Sequence, residues 1–470
     1  MSILKVIFIA LEVLLLFNLL IFVHELGHFL AARWRGLKID RFAIWFGKPI
    51  WKTKINGVEY ALGSIPAGGY VSLPQMATME AIEGKGESSD KPLPPISALD
   101  KIIVAFAGPL FSFLLALAFA VAVMFVGRPV SGSETTTTIG YVLKGGPADQ
   151  AGLRPGDEVL AVDGKPVTKF GGMGDSVTWR IVSSQGDTVQ MRIKRDGKIL
   201  ELAPKPAKEP TKIWERKSLR KIQIGPASDV IVGDMARNSP AKCAGLATGD
   251  QILSVDGHKL YHFGGLEDYV ENHTNQTLVL SCLRIGRPLE IPVKAEVPVS
   301  PPDAKPSLGI LDYEDKWSLS HPGAIEQVNG SVNAMIETFG ALFARHSDIR
   351  AQHLGGAVKI QDVYARLFNS EQGWRLALWF SVLMNVNLAV LNMLPIPVLD
   401  GGHILLALVE AVRRRPVSAR VLGAIQTSCA VLLIGFMLYI AFYDVQDLPW
   451  KRSKEKPVEI RFAPKALEKN

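Results

Sequence analysis

The chain has 470 residues, which is too long for one ordinary soluble domain, so we expect several structural units. Its 48% hydrophobic residues favour a membrane protein, and its net charge of +7 suits an anionic lipid surface. The basic residues are dispersed without interleaved aromatic residues, which argues against nucleic-acid binding. The three cysteines form no C-x-x-C pair, and Cys243 and Cys282 are as consistent with free thiols as with a disulfide.

Four long apolar runs predict four membrane-spanning helices. The first, residues 6–23, contains Glu12 and Asn18, which we interpret as helix–helix hydrogen-bond partners or pore-facing residues. It lacks a small-residue cleavage site and leads directly into a histidine motif, so we do not interpret it as a signal peptide. The other runs carry no charge and are each long enough to cross a hydrocarbon core: residues 102–126, 376–394 and 421–442.

A histidine motif, His24-Glu25-Leu26-Gly27-His28, lies at the end of the first run. One helical turn separates the two histidines, so their imidazoles share a face and can bind one zinc ion. Glu25 between them is placed to act as the general base of a metalloprotease. So short a pattern also arises by chance, but ionisable groups at membrane depth are costly and are generally functional.

Two alternating runs, residues 51–55 and 58–62, flank Asn56-Gly57 and predict a β-hairpin between the first two spans. The segment Ile65-Pro66-Ala67-Gly68-Gly69-Tyr70 continues from this hairpin. The following loop, residues 77–97, has the composition of a flexible segment and indicates no function.

Residues 127–300 contain an internal repeat with an offset of 93 residues, in which Gly156–Gly164 corresponds to Gly249–Gly257. This period is longer than that of solenoid repeats, so we predict two whole domains, residues 134–208 and 220–300. Their shared Gly-Asp-x-[Ile/Val]-Leu-x-Val-Asp-Gly pattern resembles PDZ domains, which bind an extended peptide as an added strand. Two folded spacers that filter substrates by size are the alternative.

The connector after the repeat, residues 307–373, contains apolar residues at helical spacing from Ile325 to Phe343. This spacing predicts an amphipathic helix over residues 324–343. The helix is expected to lie on the membrane or against the repeat, and ordinary core packing explains the pattern equally well.

A candidate third zinc ligand follows the third run, since catalytic zinc usually has three protein ligands. Pro395 and Pro397 cannot continue a helix, so we expect the third span to unwind beside a polar site. The first and third spans cross the membrane in the same direction, which brings Asp400 to the side where the first span ends. Asp400 alone is also typical of a turn before Gly401-Gly402, and we place His403 in the surroundings of the site.

Basic residues near the ends of the runs predict the orientation of the spans. They follow the first run and separate the third from the fourth, whereas only Lys5 precedes the first run. We therefore expect the loops 33–101 and 395–420 on the cytoplasmic side, and the segment 127–375 and both termini outside. The basic tail, residues 444–470, opposes this orientation mildly. The basic residues concerned are Arg33, Arg35, Lys38, Arg41, Arg413, Arg414, Arg415 and Arg420.

The histidine motif in the first span and Leu399-Asp400-Gly401 after the third together resemble the site-2 protease family of intramembrane zinc metalloproteases, in particular its bacterial RseP type. The resemblance includes Ala107-Gly108-Pro109-Leu110 and residues 386–403, and it covers almost the whole chain. It implies a membrane protein of four transmembrane helices, a membrane-associated β-hairpin or sheet between spans one and two, and two extracytoplasmic PDZ-like α+β domains. The expected segments are 1–34, 35–100, 101–127, 134–208, 220–300, 307–373, 374–403, 418–443 and 444–470.

The resemblance also implies roles for individual residues. Asn387 and Asn392 are expected to hold the substrate or the oxyanion, and the edge formed by residues 65–70 is expected to pair with an unwound substrate. The family usually has an asparagine where this chain has Ser112, which puts a polar contact from the second span in doubt. The implied zinc ligands are His24, His28 and Asp400, with Glu25 as the catalytic base.

The implied activity is Zn²⁺-dependent hydrolysis of peptide bonds in the transmembrane segments of single-span membrane proteins, such as anti-sigma factors or remnant signal peptides, in the bilayer of a bacterial inner membrane. The PDZ-like domains would then be periplasmic and the active site near the cytoplasmic side. One alternative, a metal transporter, is disfavoured because the spans show no inverted repeat. The other is a PDZ-bearing membrane adaptor or chaperone with a non-catalytic metal site, and the intact Glu25 disfavours it.

Overall fold

The computed structural model describes residues 3–76, 96–301, 304–370, 372–414, 419–448 and 459–463. Most of the predicted loop 77–97 and most of the tail 444–470 lie outside these residues. The chain divides into two compact units. The first contains residues 1–128, 321–336 and 352–448, and the second contains residues 129–320, 337–351 and 449–470.

The described elements are eleven helices and eighteen strands. The helices are α1 (Ile3–Trp34), α2 (Ala98–Val126), α3 (Pro147–Gln150), α4 (Val177–Ser183), α5 (Pro240–Cys243), α6 (Phe263–Asn272), α7 (Ala324–Phe343), α8 (Ala357–Asn369), α9 (Gly373–Asn392), α10 (Asp400–Arg413) and α11 (Ala419–Gln446). The strands are β1 (Arg41–Phe46), β2 (Trp51–Ile55), β3 (Val58–Leu62), β4 (Ile65–Ser72), β5 (Arg128–Val130), β6 (Ile139–Val142), β7 (Glu158–Val162), β8 (Lys165–Pro166), β9 (Met191–Arg195), β10 (Lys198–Leu202), β11 (Ile224–Pro226), β12 (Val230–Val232), β13 (Gln251–Val255), β14 (His258–Lys259), β15 (Thr277–Arg284), β16 (Arg287–Lys294), β17 (Tyr313–Glu314) and β18 (Ser318–Ser320).

Four helices of the first unit, α1, α2, α9 and α11, are long and apolar enough to cross a membrane. They coincide with the four predicted runs, so the prediction of four helices of membrane-spanning length and composition is confirmed. Spans α2 and α9 pack closely because small and β-branched side chains meet between them. This contact buries Ala116, Ala120, Val382 and Val386.

A four-stranded sheet between α1 and α2 has the strand order β2-β3-β1-β4. Strands β2 and β3 are antiparallel and are joined at Asn56 and Gly57, both of which have positive φ angles. Strand β1, which the hairpin prediction did not include, pairs in parallel with β3 and antiparallel with β4. Strand β4 is therefore the last in the sheet, and its outer edge is unpaired by any described strand.

The second unit contains the sequence repeat as a structural repeat. Strand β7 and helix α3 of the first copy recur 93 residues later as β13 and α5. Each copy also buries an aspartate paired with an arginine, Asp157 with Arg195 and Asp250 with Arg284. Both Cys243 and Cys282 are free, so the disulfide alternative is wrong.

Helix α7 has the predicted bounds and is amphipathic. Val328 is buried in the contact between α2 and α9, and Gln327 Nε2 donates to the carbonyl oxygen of Ala120 at 2.9 Å. Ile325 and Ile336, in contrast, are about two-thirds exposed. The first half of this helix therefore packs against the membrane spans, which agrees with the core-packing alternative.

Candidate active site

The two histidines of the motif lie where α1 crosses α2 at close range. A Cβ atom at Gly27 would lie 2.4 Å from the carbonyl oxygen of Ala107. A Cβ atom at Gly108 would lie 2.2 Å from His28 Nε2. Because both distances are shorter than any real contact, the crossing requires glycine at both positions.

Span α2 orients both imidazole rings. His28 Nδ1 lies 2.8 Å from the carbonyl oxygen of Val104, and His24 Nδ1 lies 3.0 Å from Ser112 Oγ. A carbonyl oxygen only accepts hydrogen bonds, so His28 Nδ1 carries the proton and its Nε2 keeps a free lone pair, as a metal ligand requires. Ser112 makes the polar contact from the second span that the sequence left in doubt.

The third span unwinds as the two prolines predict. Helix α9 ends at Asn392, and Asp400 begins α10, where the helix N-terminus favours a carboxylate. A Cβ atom at Gly401 would lie 2.2 Å from the carbonyl oxygen of Met393, and one at Gly402 would lie 2.1 Å from that of Ile396. The two glycines therefore let the first turn of α10 pack on the unwound segment, which fixes the position of Asp400.

The three candidate ligands meet in the structure. His24 Nε2 lies 3.3 Å from His28 Nε2 and 3.3 Å from Asp400 Oδ2, and His28 Nε2 lies 3.4 Å from Asp400 Oδ1. Two ligands of a tetrahedral zinc ion, each about 2.0–2.1 Å from the metal, are about 3.3 Å apart. All three residues are buried, and Asp400 Oδ2 accepts no hydrogen bond from the described residues. The donor atoms therefore fit a zinc ion.

A cavity of about 250 Å³ lies beside these atoms. Glu25 lines it, and a Cβ atom at Gly69 would approach Glu25 Cγ to 3.0 Å, so β4 passes directly beside the candidate base. The lining residues are Ile21, His24, Glu25, His28, Phe46, Gly68, Gly69, Leu388, Asn392, Val398, Leu399, Asp400 and His403.

The two candidate asparagines differ in their positions. Asn392 lines the cavity, and its Nδ2 atom lies 3.3 Å from His24 Nε2. Asn387 is not among the lining residues, and its Oδ1 atom is buried without a hydrogen-bond partner among the described residues. The geometry thus brings Asn392, and not Asn387, to the candidate zinc site.

The residues of the predicted strand edge also divide into groups. Gly68 and Gly69 line the cavity, Ile65 and Pro66 are exposed, and Tyr70 is buried against Phe46 with parallel rings 6.0 Å apart. Sequence analysis missed Phe46, which lines the cavity from β1. The apolar run 42–46 has no periodicity that would indicate that Phe46 faces a cavity.

The family comparisons agree with this site. A model described as Peptidase family M50 matches residues 12–436. "Regulator of sigma-E protease RseP" of Escherichia coli (strain K12) is 29% identical over 460 residues, covering 92% of this chain and 97% of the relative. "Regulator of sigma E protease" of Salmonella typhi is 30% identical over 469 residues, with the same coverage of both chains.

A third relative, "Putative zinc metalloprotease PM1991" of Pasteurella multocida (strain Pm70), is 28% identical over 468 residues and covers 92% of this chain and 97% of its own. The family match extends from the first span to the fourth, so it includes every element that carries the site. The chain therefore belongs to peptidase family M50 and is a zinc metalloprotease of the inner membrane, similar to RseP.

Proposed function

We propose that this protease cleaves peptide bonds inside membrane-spanning segments, with zinc held by His24 Nε2, His28 Nε2 and the Asp400 carboxylate. The observation that carries the proposal is the triangle of donor atoms, 3.3–3.4 Å apart, at the ends of two apolar helices. Buried ligand atoms at the ends of membrane-spanning helices suit a substrate that is itself in the membrane.

The chemistry follows from the groups around the cavity. Zinc, when bound, acts as a Lewis acid that activates water at neutral pH and polarises the substrate carbonyl. Glu25 takes the proton of the attacking water and then delivers it to the leaving amine. The side-chain amide of Asn392 donates a hydrogen bond to the oxyanion that develops on the carbonyl oxygen.

The sheet provides the substrate-binding edge in this proposal. A peptide bond within a helix is shielded, and its backbone groups need new partners in lipid when the helix unwinds. The unpaired edge of β4 supplies them by strand addition. Gly68 and Gly69 carry no side chain, so an added strand can approach Glu25 closely.

The substrates we propose are single-span membrane proteins, and the sigma-E regulation in the names of the relatives favours an anti-sigma factor over a remnant signal peptide. We place the two repeats in the periplasm as PDZ-like domains and the zinc site near the cytoplasmic face. A cavity of about 210 Å³ beside α6 of the second repeat, lined by Leu266, Val270, Leu308 and Ile310 among others, supports binding of a peptide terminus there.

The test is substitution of Glu25 by Gln in the full chain, reconstituted with a single-span model substrate. We expect Glu25→Gln to retain zinc and to lose cleavage, because a glutamine side chain cannot act as a general base. Glu12→Gln on the same helix is the matched control, since Glu12 does not line the cavity, and it should cleave normally. Normal cleavage by Glu25→Gln would contradict the mechanism, and absence of cleavage by the wild type would favour an adaptor.

A further inference from the structure

Trp45 has an unusual backbone conformation next to the cavity. Its φ angle is 69°, in the left-handed region, which is unfavourable for any residue with a Cβ atom. The pairing of β1 with β4 breaks at this residue, since Ile44 pairs with Gly69 but Phe46 pairs with Ile65. Some other interaction must therefore stabilise Trp45 in this conformation.

A hydrogen bond from the first span supplies that interaction. The indole Nε1 of Trp45 donates to Oδ1 of Asn18, and Nδ2 of Asn18 donates to the carbonyl oxygen of Leu14 at 2.6 Å. Both ends of the Asn18 amide are thus engaged, which fixes its orientation. An indole N–H and an amide within apolar surroundings are costly unless paired, so the contact holds β1 to α1.

The next residue, Phe46, connects this contact to the active site. Phe46 lines the zinc cavity together with Glu25, and its ring occupies the space in which Gly68 would carry a Cβ atom, at 2.1 Å. The backbone at Trp45 determines where Phe46 points, because a change of φ there redirects the rest of the strand. Asn18 lies on the same helix as His24 and Glu25, six residues before the motif.

We infer that Asn18 is a positioning residue for catalysis, which acts through Trp45 to hold Phe46 and the β4 glycines against the cavity. The inference rests on the proposed peptide hydrolysis at this site. It also explains a polar residue in the middle of an apolar span. Asn18 touches neither the cavity nor the candidate ligands, so its effect must pass through the sheet.

The experiment uses the full chain with the single-span model substrate and compares five variants with one control. Asn18→Leu removes the acceptor, and Trp45→Phe removes the donor while keeping an aromatic ring. Each should lower kcat/KM about tenfold with zinc content unchanged, as expected when a half-buried polar group loses its partner. The double variant should have the same kcat/KM as either single variant, because each single substitution already removes the same hydrogen bond.

Glycine at position 45 provides the decisive variant, because glycine adopts a positive φ without a supporting contact. We expect the double variant Asn18→Leu with Trp45→Gly to cleave faster than Asn18→Leu alone. Its rate should equal that of Trp45→Gly alone. Glu12→Leu is the control for a polar-to-apolar change in the same span and should cleave normally. Multiplicative losses in the double variant, or no rescue by glycine, would overturn the inference.

A second measurement is independent of cleavage. In protein labelled with ¹⁵N-tryptophan, the indole signal missing from Trp45→Phe identifies Trp45. That signal should shift in Asn18→Leu, because its N–H loses its acceptor. An unchanged signal refutes the contact even if the model substrate is never cut, whereas a shifted signal without wild-type cleavage places the failure in the proposed function.

Discussion

Gly108, at the crossing of α1 and α2, provides the most direct test of the zinc site. An alanine at position 108 would place its Cβ atom 2.2 Å from His28 Nε2 and 2.5 Å from His28 Cε1. Ordinary contact begins at 3.4 Å, so the ring or the helix must move by at least about 1.2 Å. His28 Nε2 lies only 3.3 Å from His24 Nε2, so such a movement distorts the triangle of ligands.

We therefore expect Gly108→Ala to lose zinc and to reduce cleavage by about 100-fold or more, since a 1 Å misplacement in an active site has effects of that order. The assay is zinc content per chain and cleavage of the model substrate by the same preparation. Gly435→Ala in the fourth span is the matched control, because a Cβ atom there meets no described atom within 4 Å. Full zinc content and normal cleavage in Gly108→Ala would refute the geometry of the crossing.

Two further predictions concern the surroundings of the ligands. Ser112→Ala should weaken zinc binding about 10–100-fold, because it removes the partner of His24 Nδ1, and zinc titration against a chelator measures the change; unchanged affinity would show that the serine contact is dispensable. Asn392→Ala should lower kcat about 100-fold with zinc retained if its amide stabilises the oxyanion, and Asn387→Ala should have a much smaller effect because Asn387 does not line the cavity. The reverse order of the two effects would assign the oxyanion contact to Asn387.

The spans and the candidate site were largely predictable from sequence because their signals are local. An apolar run of membrane length, a His-Glu-x-x-His spacing and a Pro-x-Pro break each lie within one short stretch of the chain. The number of spans between them then predicts that Asp400 and the histidines lie on the same side of the membrane, and this prediction does not depend on how the helices pack. The folded structure adds the distances between the donor atoms of the three candidate ligands, and the spacing of these residues in the sequence does not give those distances.

The features that sequence analysis missed depend on contacts between distant elements. Residues 42–46 are a continuous apolar run, which carries no strand periodicity, and β1 is defined by its parallel pairing with β3. Ser112 supports His24 from 88 residues away, and a lone serine in an apolar span gives no sign of that role. Trp45 is less predictable still, because a positive φ angle is expected at glycine and not at tryptophan.

The cavity beside the candidate ligands depends on four close approaches, and glycine makes each of them possible. Gly27 and Gly108 let the first two spans meet, Gly69 lets β4 pass Glu25, and Gly401 lets α10 pack on the unwound segment. A side chain at Gly27, Gly108 or Gly401 would separate elements that contribute to one cavity, and one at Gly69 would require Glu25 or Ile21 to shift by a few tenths of an ångström. Because the three candidate ligands come from α1 and from the first turn of α10, their common geometry depends on these approaches. The glycines therefore determine the position of the zinc site as directly as the ligands determine its chemistry.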